Sequence, residues 1–175
     1  MAREERIATR RAYDGRLISL RVDEVRLGSG RTAAREVVEH PGAVGILAWN
    51  GERLALVRQW RHAAGLDLLE IPAGTLDPGE EPRQTAEREL AEECGVAAQG
   101  WEVGPSFFTA PGFCTERLTL FLATELRPAE APAPEDEDLE LSWMPLPEAL
   151  QAIEDGRIQD AKSLAGILWL ARRLA

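Results

Sequence analysis

Residues 82–95, PRQTAERELAEECG, constrain this chain more than any other stretch. The apolar spacing predicts a helix from about Pro82 to Glu93, and Gly95 immediately after it suits a left-handed cap. On that helix Glu89 stands three residues before Glu92 and four before Glu93, so all three carboxylates project from one side. Like charges so placed repel by roughly a few tenths of a kcal/mol per pair, even in water. A chain keeps the arrangement cheaply only where cations neutralise it. The ordinary alternative is a solvated acidic face, and the residues around the helix must decide between the two.

The overall charge points the same way. Thirty acids face twenty bases, a net charge of −10. That balance argues against nucleic acid as a main partner, because a phosphate backbone calls for Lys and Arg. The excess is confined to two segments. Residues 77–93 carry seven acids and two arginines, and residues 130–140 carry six acids and no base. Elsewhere 17 acids meet 18 bases. Hard oxygen ligands of this kind suit Mg²⁺, with Mn²⁺ also possible. Magnesium usually keeps several waters and takes a carboxylate or two plus substrate phosphates. The chemistry implied is metal-assisted attack of water on a phosphoryl group.

With 175 residues, 45% of them apolar, the chain can bury a core of its own. No apolar run reaches the roughly 20 residues of a membrane helix, and MAREERIATRR lacks the apolar stretch of a secretory signal. Cys94 and Cys114 are too few for a disulfide framework or a four-ligand zinc site. A soluble cytoplasmic protein without a membrane partner is expected.

The order of elements is mixed. Residues 1–40 read as short strands, with ISLRVDEVRL and TAAREVVEH joined at Gly28-Ser29-Gly30. Gly28-x-Gly30-x-x-Ala33 matches a dinucleotide fingerprint only superficially, because no helix follows it. AVGILAW and RLALVRQW, separated by Asn50-Gly51, predict a hairpin, and LDLLEIPAG predicts a third strand. Trp60 reads as a buried strand-end residue, with stacking on a base beside Arg61 as the alternative. Further strands fall in WEVGPSFF, RLTLFLATEL and LELSWM, with helices in LPEALQAIEDG and SLAGILWLARRLA. Strict strand–helix alternation is absent, so a parallel doubly wound sheet is excluded.

The segment GTLDPGEEPRQTAERELAEECGV resembles the Nudix box, Gly-x5-Glu-x7-Arg-Glu-U-x-Glu-Glu-x-Gly-U with U aliphatic, at every position. The resemblance implies an α/β (α+β) fold: an α/β/α sandwich with a mixed sheet, residues 41–175, preceded by a small antiparallel β domain, residues 1–40. It implies that Glu89, Glu92 and Glu93 bind a divalent metal, helped by the backbone carbonyl of Ala73. Gly74, Glu80 and Arg88 support the box, Glu80 and Arg88 as an ion pair bracing loop against helix. Pro111, sixteen residues beyond Gly95 in a Pro-Gly-Phe context, resembles the marker of ADP-ribose pyrophosphatases. The runs EVVEHPGAVGILA and LVRQWRHAAGLDLLEIPAG resemble that group too, as does the acidic loop PEDEDLELSWM.

Further assignments follow from that resemblance. Glu135 and Glu137 match loop glutamates that activate water in some members, with Glu92 as the competing base. Arg61 matches a phosphate-binding position and Glu70 one that holds the terminal ribose or a metal network. Arg16 and Glu36 resemble adenine-site positions, although Ala34 stands where some members carry a second basic residue. A homodimer built through residues of about 1–40 is implied. The expected reaction is Mg²⁺-dependent hydrolysis of ADP-ribose to AMP and ribose 5-phosphate. The alternatives are hydrolysis of another nucleoside diphosphate derivative (an ADP-sugar, FAD, a dinucleoside polyphosphate) or a non-catalytic Nudix-like binding module. The complete box speaks against the module.

Overall fold

Alternating side chains build the first part of the structure, a computed structural model that describes residues 3–131 and 138–175. The chain divides into two units, one taking the N-terminal residues through Gly42 together with Phe107–Arg117, the other Ala43–Ser106 with Leu118–Ala175.

In the first unit β1 (Glu5–Asp14), β2 (Ser19–Arg26) and β3 (Thr32–Glu39) form an antiparallel sheet in the order β1-β2-β3. Strand β1 is exposed throughout and so carries no apolar alternation; its pairing with β2 creates it. Between β2 and β3 the Gly30 N–H donates to the Leu27 carbonyl at 2.8 Å, closing a hairpin. The glycines there precede a strand, as their context indicates, and hold no dinucleotide turn. Asp23 is buried, accepting from Thr9 Oγ1 at 2.6 Å beside Arg21 at 3.2 Å. The turn containing Pro111 is tied to the end of β3: Val38 N–H donates to the Phe113 carbonyl at 2.8 Å, and Thr115 N–H to the Val38 carbonyl at 2.9 Å.

The second unit contains β4 (Ala43–Ala48), β5 (Arg53–Arg61), β6 (Leu66–Glu70), β7 (Ala73–Thr75), α1 (Pro82–Cys94) and β10 (Leu139–Pro145), then α2 (Leu146–Glu154) and α3 (Ala161–Leu174). Most of β8 (Val96–Phe108) and β9 (Arg117–Pro128) also belongs to it. A mixed sheet runs β7-β4-β9-β8 and an antiparallel one runs β10-β5-β6. The pair β4–β9 is parallel, from Ala43 opposite Leu118 to Ala48 opposite Ala123.

Asn50-Gly51 makes its turn but not the expected hairpin. Asn50 Oδ1 accepts from the amides of Glu52 and Arg53, Gly51 takes φ 98°, and one bridge joins Trp49 to Leu54. Beyond it the two strands enter different sheets. The physical reason is burial on both faces. Every residue of β4 is buried, as is Leu54–Val57 of β5, and a lone two-stranded ribbon covers neither strand.

Successive residues of β4 serve opposite layers. Val44, Ile46 and Ala48 pack with Ala86, Leu90 and Cys94 of α1. On the other face Gly45 and Leu47 meet Leu120, Ile71 and Gly166 of α3, which gives the expected helix–sheet–helix layering. A Cβ at Gly166 would lie 3.1 Å from Ile71 Cδ1 and 3.2 Å from Leu47 Cδ2, so glycine lets α3 approach the sheet closely. Trp60 corrects its expectation. Past Val57 strand β5 alternates, and Trp60 stands on the outward face with Arg58, 55% exposed. No helix among the described residues is long and apolar enough to cross a membrane.

Candidate active site

Strand β7 and the turn after it deliver the chain to the N-terminus of α1. Gly79 adopts φ 84°, and the Glu80 N–H donates to the Asp77 carbonyl at 3.0 Å. Pro82 opens the helix where a missing N–H costs nothing, and the Glu81 N–H donates to Gln84 Oε1 at 3.0 Å. At the far end Gly95 adopts φ 64° and donates to the Ala91 carbonyl at 3.0 Å, the left-handed cap expected there.

Arg88 organises the acidic side of this helix. Its Nε and Nη2 donate to Glu80 Oε1 and Oε2 at 3.1 and 3.0 Å, a two-point pairing. Its Nη1 donates to Glu89 Oε1 at 2.7 Å and to Glu92 Oε2 at 3.1 Å. Glu80 also accepts from Thr85 Oγ1 at 2.8 Å and from the Asp77 N–H at 3.4 Å. Arg88's hydrogen bonds outweigh partial burial and, with those from Thr85 and Asp77, hold the Glu80 carboxyl down at about 2. The pairing raises the already high pKa of Arg88. A carboxylate held this strongly ionised braces the loop and is unsuited to shuttling protons.

Glu93 turns to strand β7. It is 8% exposed, and its Oε2 accepts the Ala73 N–H at 3.1 Å, tying α1 to β7. Gly74 is the point of closest approach: a Cβ there would fall 2.0 Å from the Glu89 carboxylate. Among the described residues no three metal-ligating side chains meet at one point, because Arg88 gathers Glu89 and Glu92 while Glu93 turns to the β7 amide. The donor chemistry nevertheless fits a hard divalent cation. Three carboxylates lie within one turn of helix, under a glycine that leaves room over Glu89. Cys94 is buried beside them, and burial together with the Glu93 charge pushes its thiol pKa far up, which rules out a thiolate nucleophile.

A second charged cluster lies at the ends of β5 and β6. Glu70 is 2% exposed, and its Oε2 accepts from Arg61 Nε at 3.0 Å, Arg61 Nη2 at 2.6 Å and Lys162 Nζ at 2.8 Å. Burial pushes the Glu70 carboxyl up, but Arg61 and Lys162 more than offset this and hold it below its ordinary value. Only Ile71 and Pro72 separate Glu70 from Ala73 in the chain. The structure thus pairs Arg61 and Glu70, which the sequence suggested only singly, and adds Lys162, which sequence reasoning missed. The signal was present: this is the only lysine in a chain with nineteen arginines.

Arg16, Glu36 and Pro111 all belong to the first unit. Arg16 is exposed in the turn between β1 and β2, Glu36 is exposed on β3 opposite Val22, and Pro111 is exposed in the 107–117 segment. Glu135 and Glu137 lie outside the described residues.

Comparison with known proteins places this arrangement in a family. The NUDIX domain family model matches residues 32–166. An ADP-ribose pyrophosphatase of Bacillus subtilis is 40% identical over 95% of this chain and 92% of its own. One of Mycobacterium tuberculosis is 41% identical over 94% of this chain and 81% of its own. A methanol dehydrogenase activator of Bacillus methanolicus is 42% identical over 95% and 92%. Among solved structures, that of an ADP compounds hydrolase matches with a TM-score of 0.89 over 99% of this chain and 95% of that one, at 22% identity, a likeness of fold. With its box complete and most of its length matched, the chain belongs to the Nudix domain family.

Proposed function

We propose that the protein is a Nudix pyrophosphohydrolase that hydrolyses the diphosphate of ADP-ribose. Water adds to one phosphorus, the bridging P–O bond breaks, and AMP and ribose 5-phosphate leave. The observation that carries this reading is the braced acidic helix, with Glu89, Glu92 and Glu93 gathered by Arg88 and Ala73 beneath Gly74. The nucleotide follows from the relatives named ADP-ribose pyrophosphatase, at 40% and 41% identity over nearly the whole chain.

Nudix ADP-ribose pyrophosphatases generally need a divalent metal. Here Glu89, Glu92, Glu93 and the Ala73 carbonyl are the residues that hold Mg²⁺, and Mn²⁺ suits the same oxygens. When bound, the metal supplies Lewis-acid stabilisation and a more acidic water. Glu80 and Arg88 keep loop and helix in register. Arg61 pairs with the diphosphate, and Glu70 orients Arg61. Glu135 and Glu137, or Glu92 in their place, take the proton of the attacking water. Arg16, Glu36 and Pro111 contribute to binding the adenosine end. The working form is a cytoplasmic homodimer associating through residues 1–40.

The test is hydrolysis of ADP-ribose with Mg²⁺ beside ADP-glucose, GDP-mannose, FAD and a diadenosine polyphosphate, with wild type and Glu93→Gln. Preference for ADP-ribose, lost in the variant, is expected. Preference for another diphosphate would keep the box chemistry and overturn the substrate; no turnover at all would point to a binding module. The relative named as a methanol dehydrogenase activator favours a second reading, activation of a dehydrogenase by the same hydrolysis. It is tested by assaying methanol dehydrogenase with wild type and with Glu93→Gln.

A further inference from the structure

The arginine assigned to the diphosphate is held by a second cation. Arg61 and Lys162 converge on a single atom, Oε2 of Glu70, which is buried to 2% exposure. The Lys162 side chain is itself only 14% exposed, and its Nζ also donates to Asp160 Oδ1 at 2.9 Å. Asp160 caps α3, with the same oxygen accepting the Ser163 N–H at 3.1 Å. Ser163 Oγ in turn accepts the Ile71 N–H at 2.8 Å, so the chain neighbour of Lys162 is bonded to the chain neighbour of Glu70. Two adjacent tethers thereby join the start of α3 to the end of β6.

The choice of cation matters. A chain that uses arginine nineteen times uses lysine once, and places it here. An ammonium is a compact point charge with three donors, able to serve two carboxylates from one side. A planar guanidinium instead takes one carboxylate in its fork, which is the role Arg61 already fills. Lys162 therefore shares Oε2 of Glu70 with Arg61 and ties that carboxylate to Asp160 as well.

We propose that Lys162 is a positioning residue for Arg61: by sharing Oε2 of the buried Glu70 it anchors that carboxylate, and the anchored carboxylate aims the Arg61 guanidinium at the diphosphate of the substrate. The proposal rests on the assignment of Arg61 to the diphosphate. Without Lys162, Glu70 must draw Arg61 more fully into its own pairing, because a buried carboxylate left short of donors is costly. Arg61 is then less available to the substrate.

The experiment measures KM, kcat and Tm with ADP-ribose and Mg²⁺ for wild type, Lys162→Met, Lys162→Arg, Arg61→Ala and the Lys162→Met/Arg61→Ala pair. Methionine keeps an unbranched stem of similar length. Lys162→Met should raise KM about tenfold while kcat stays within about twofold, and Lys162→Arg should recover part of the loss. In the Arg61→Ala background Lys162→Met should change KM no further. An unchanged KM in Lys162→Met, a fall in kcat and Tm alone, or full additivity with Arg61→Ala overturns the positioning role and leaves the proposed reaction standing. An unchanged KM in Arg61→Ala overturns both the positioning role and the diphosphate assignment.

Discussion

Gly74→Ala separates the geometry of the acidic helix from its stability. The new Cβ would lie 2.0 Å from Glu89 Cδ and Oε1 and 2.3 Å from Cγ, whereas ordinary contact begins at 3.4 Å. The carboxylate must therefore retreat by about 1.4 Å. Gly74 does not require the left-handed region, so alanine brings no backbone strain of its own. The retreat weakens the 2.7 Å bond from Arg88 Nη1 to Glu89, but Arg88 keeps Glu80 and Glu92. The lost bond costs about 1 kcal/mol, and reduced freedom of the unfolded chain returns about 0.4–1 kcal/mol. For a chain of this length the net change moves Tm by at most about 4 °C. Activity should suffer far more, because a misplacement of about 1 Å in a reacting site can cost on the order of 10²-fold. Hydrolysis of ADP-ribose at saturating Mg²⁺, set beside a thermal melt, reads both quantities. Wild-type turnover would refute the role given to Glu89. A Tm drop beyond about 10 °C would show that Gly74 acts through the fold.

The Glu80–Arg88 brace has a pH signature. Glu80 is held at about 2 against an ordinary 4.5, so its stabilisation is fully present above pH 4.5 and is lost as pH falls from there towards 2. Glu80→Gln should cost about 1–2 kcal/mol at pH 7, with the Tm gap to wild type closing below pH 4.5; a gap independent of pH refutes the assignment. Gly51→Ala forces a side chain into φ 98° and should lower stability by about 1–2 kcal/mol in a denaturant melt, without altering KM. A thiol reagent should label Cys114 rapidly in the folded protein and Cys94 only on unfolding, because Cys94 is buried with its pKa pushed up; equal rates would contradict that burial.

Local features of the chain were legible where local chemistry dictates them. The helix expected from about Pro82 to Glu93 spans Pro82–Cys94 and ends at a left-handed Gly95, because proline at its start and glycine past its end act through their own backbones. The Gly28-Ser29-Gly30 hairpin was equally readable. Asn50-Gly51 shows the limit. Its turn formed, since Asn50 Oδ1 accepts from the amides of Glu52 and Arg53, all within the same few residues. The fate of the strands depended on β9 and β10, which arrive more than sixty residues later and take β4 and β5 into separate sheets. The outward turn of Trp60 likewise depended on where burial of β5 stops.

The site divides along the same line. The sequence by itself determined which residues carry the charge: three glutamates on one side of a helix, an arginine one residue before the first, and glycines at both ends of the segment. Periodicity and backbone preference act over a few residues, so they can be read from order alone. Only the tertiary structure decided how those charges are partnered. It set Glu93 against the Ala73 amide, gathered Glu89 and Glu92 on Arg88, and brought Lys162 across ninety-two positions of chain to Glu70. Electrostatic partnership depends on distance in space and on exclusion of water, and neither is set until the layers have packed.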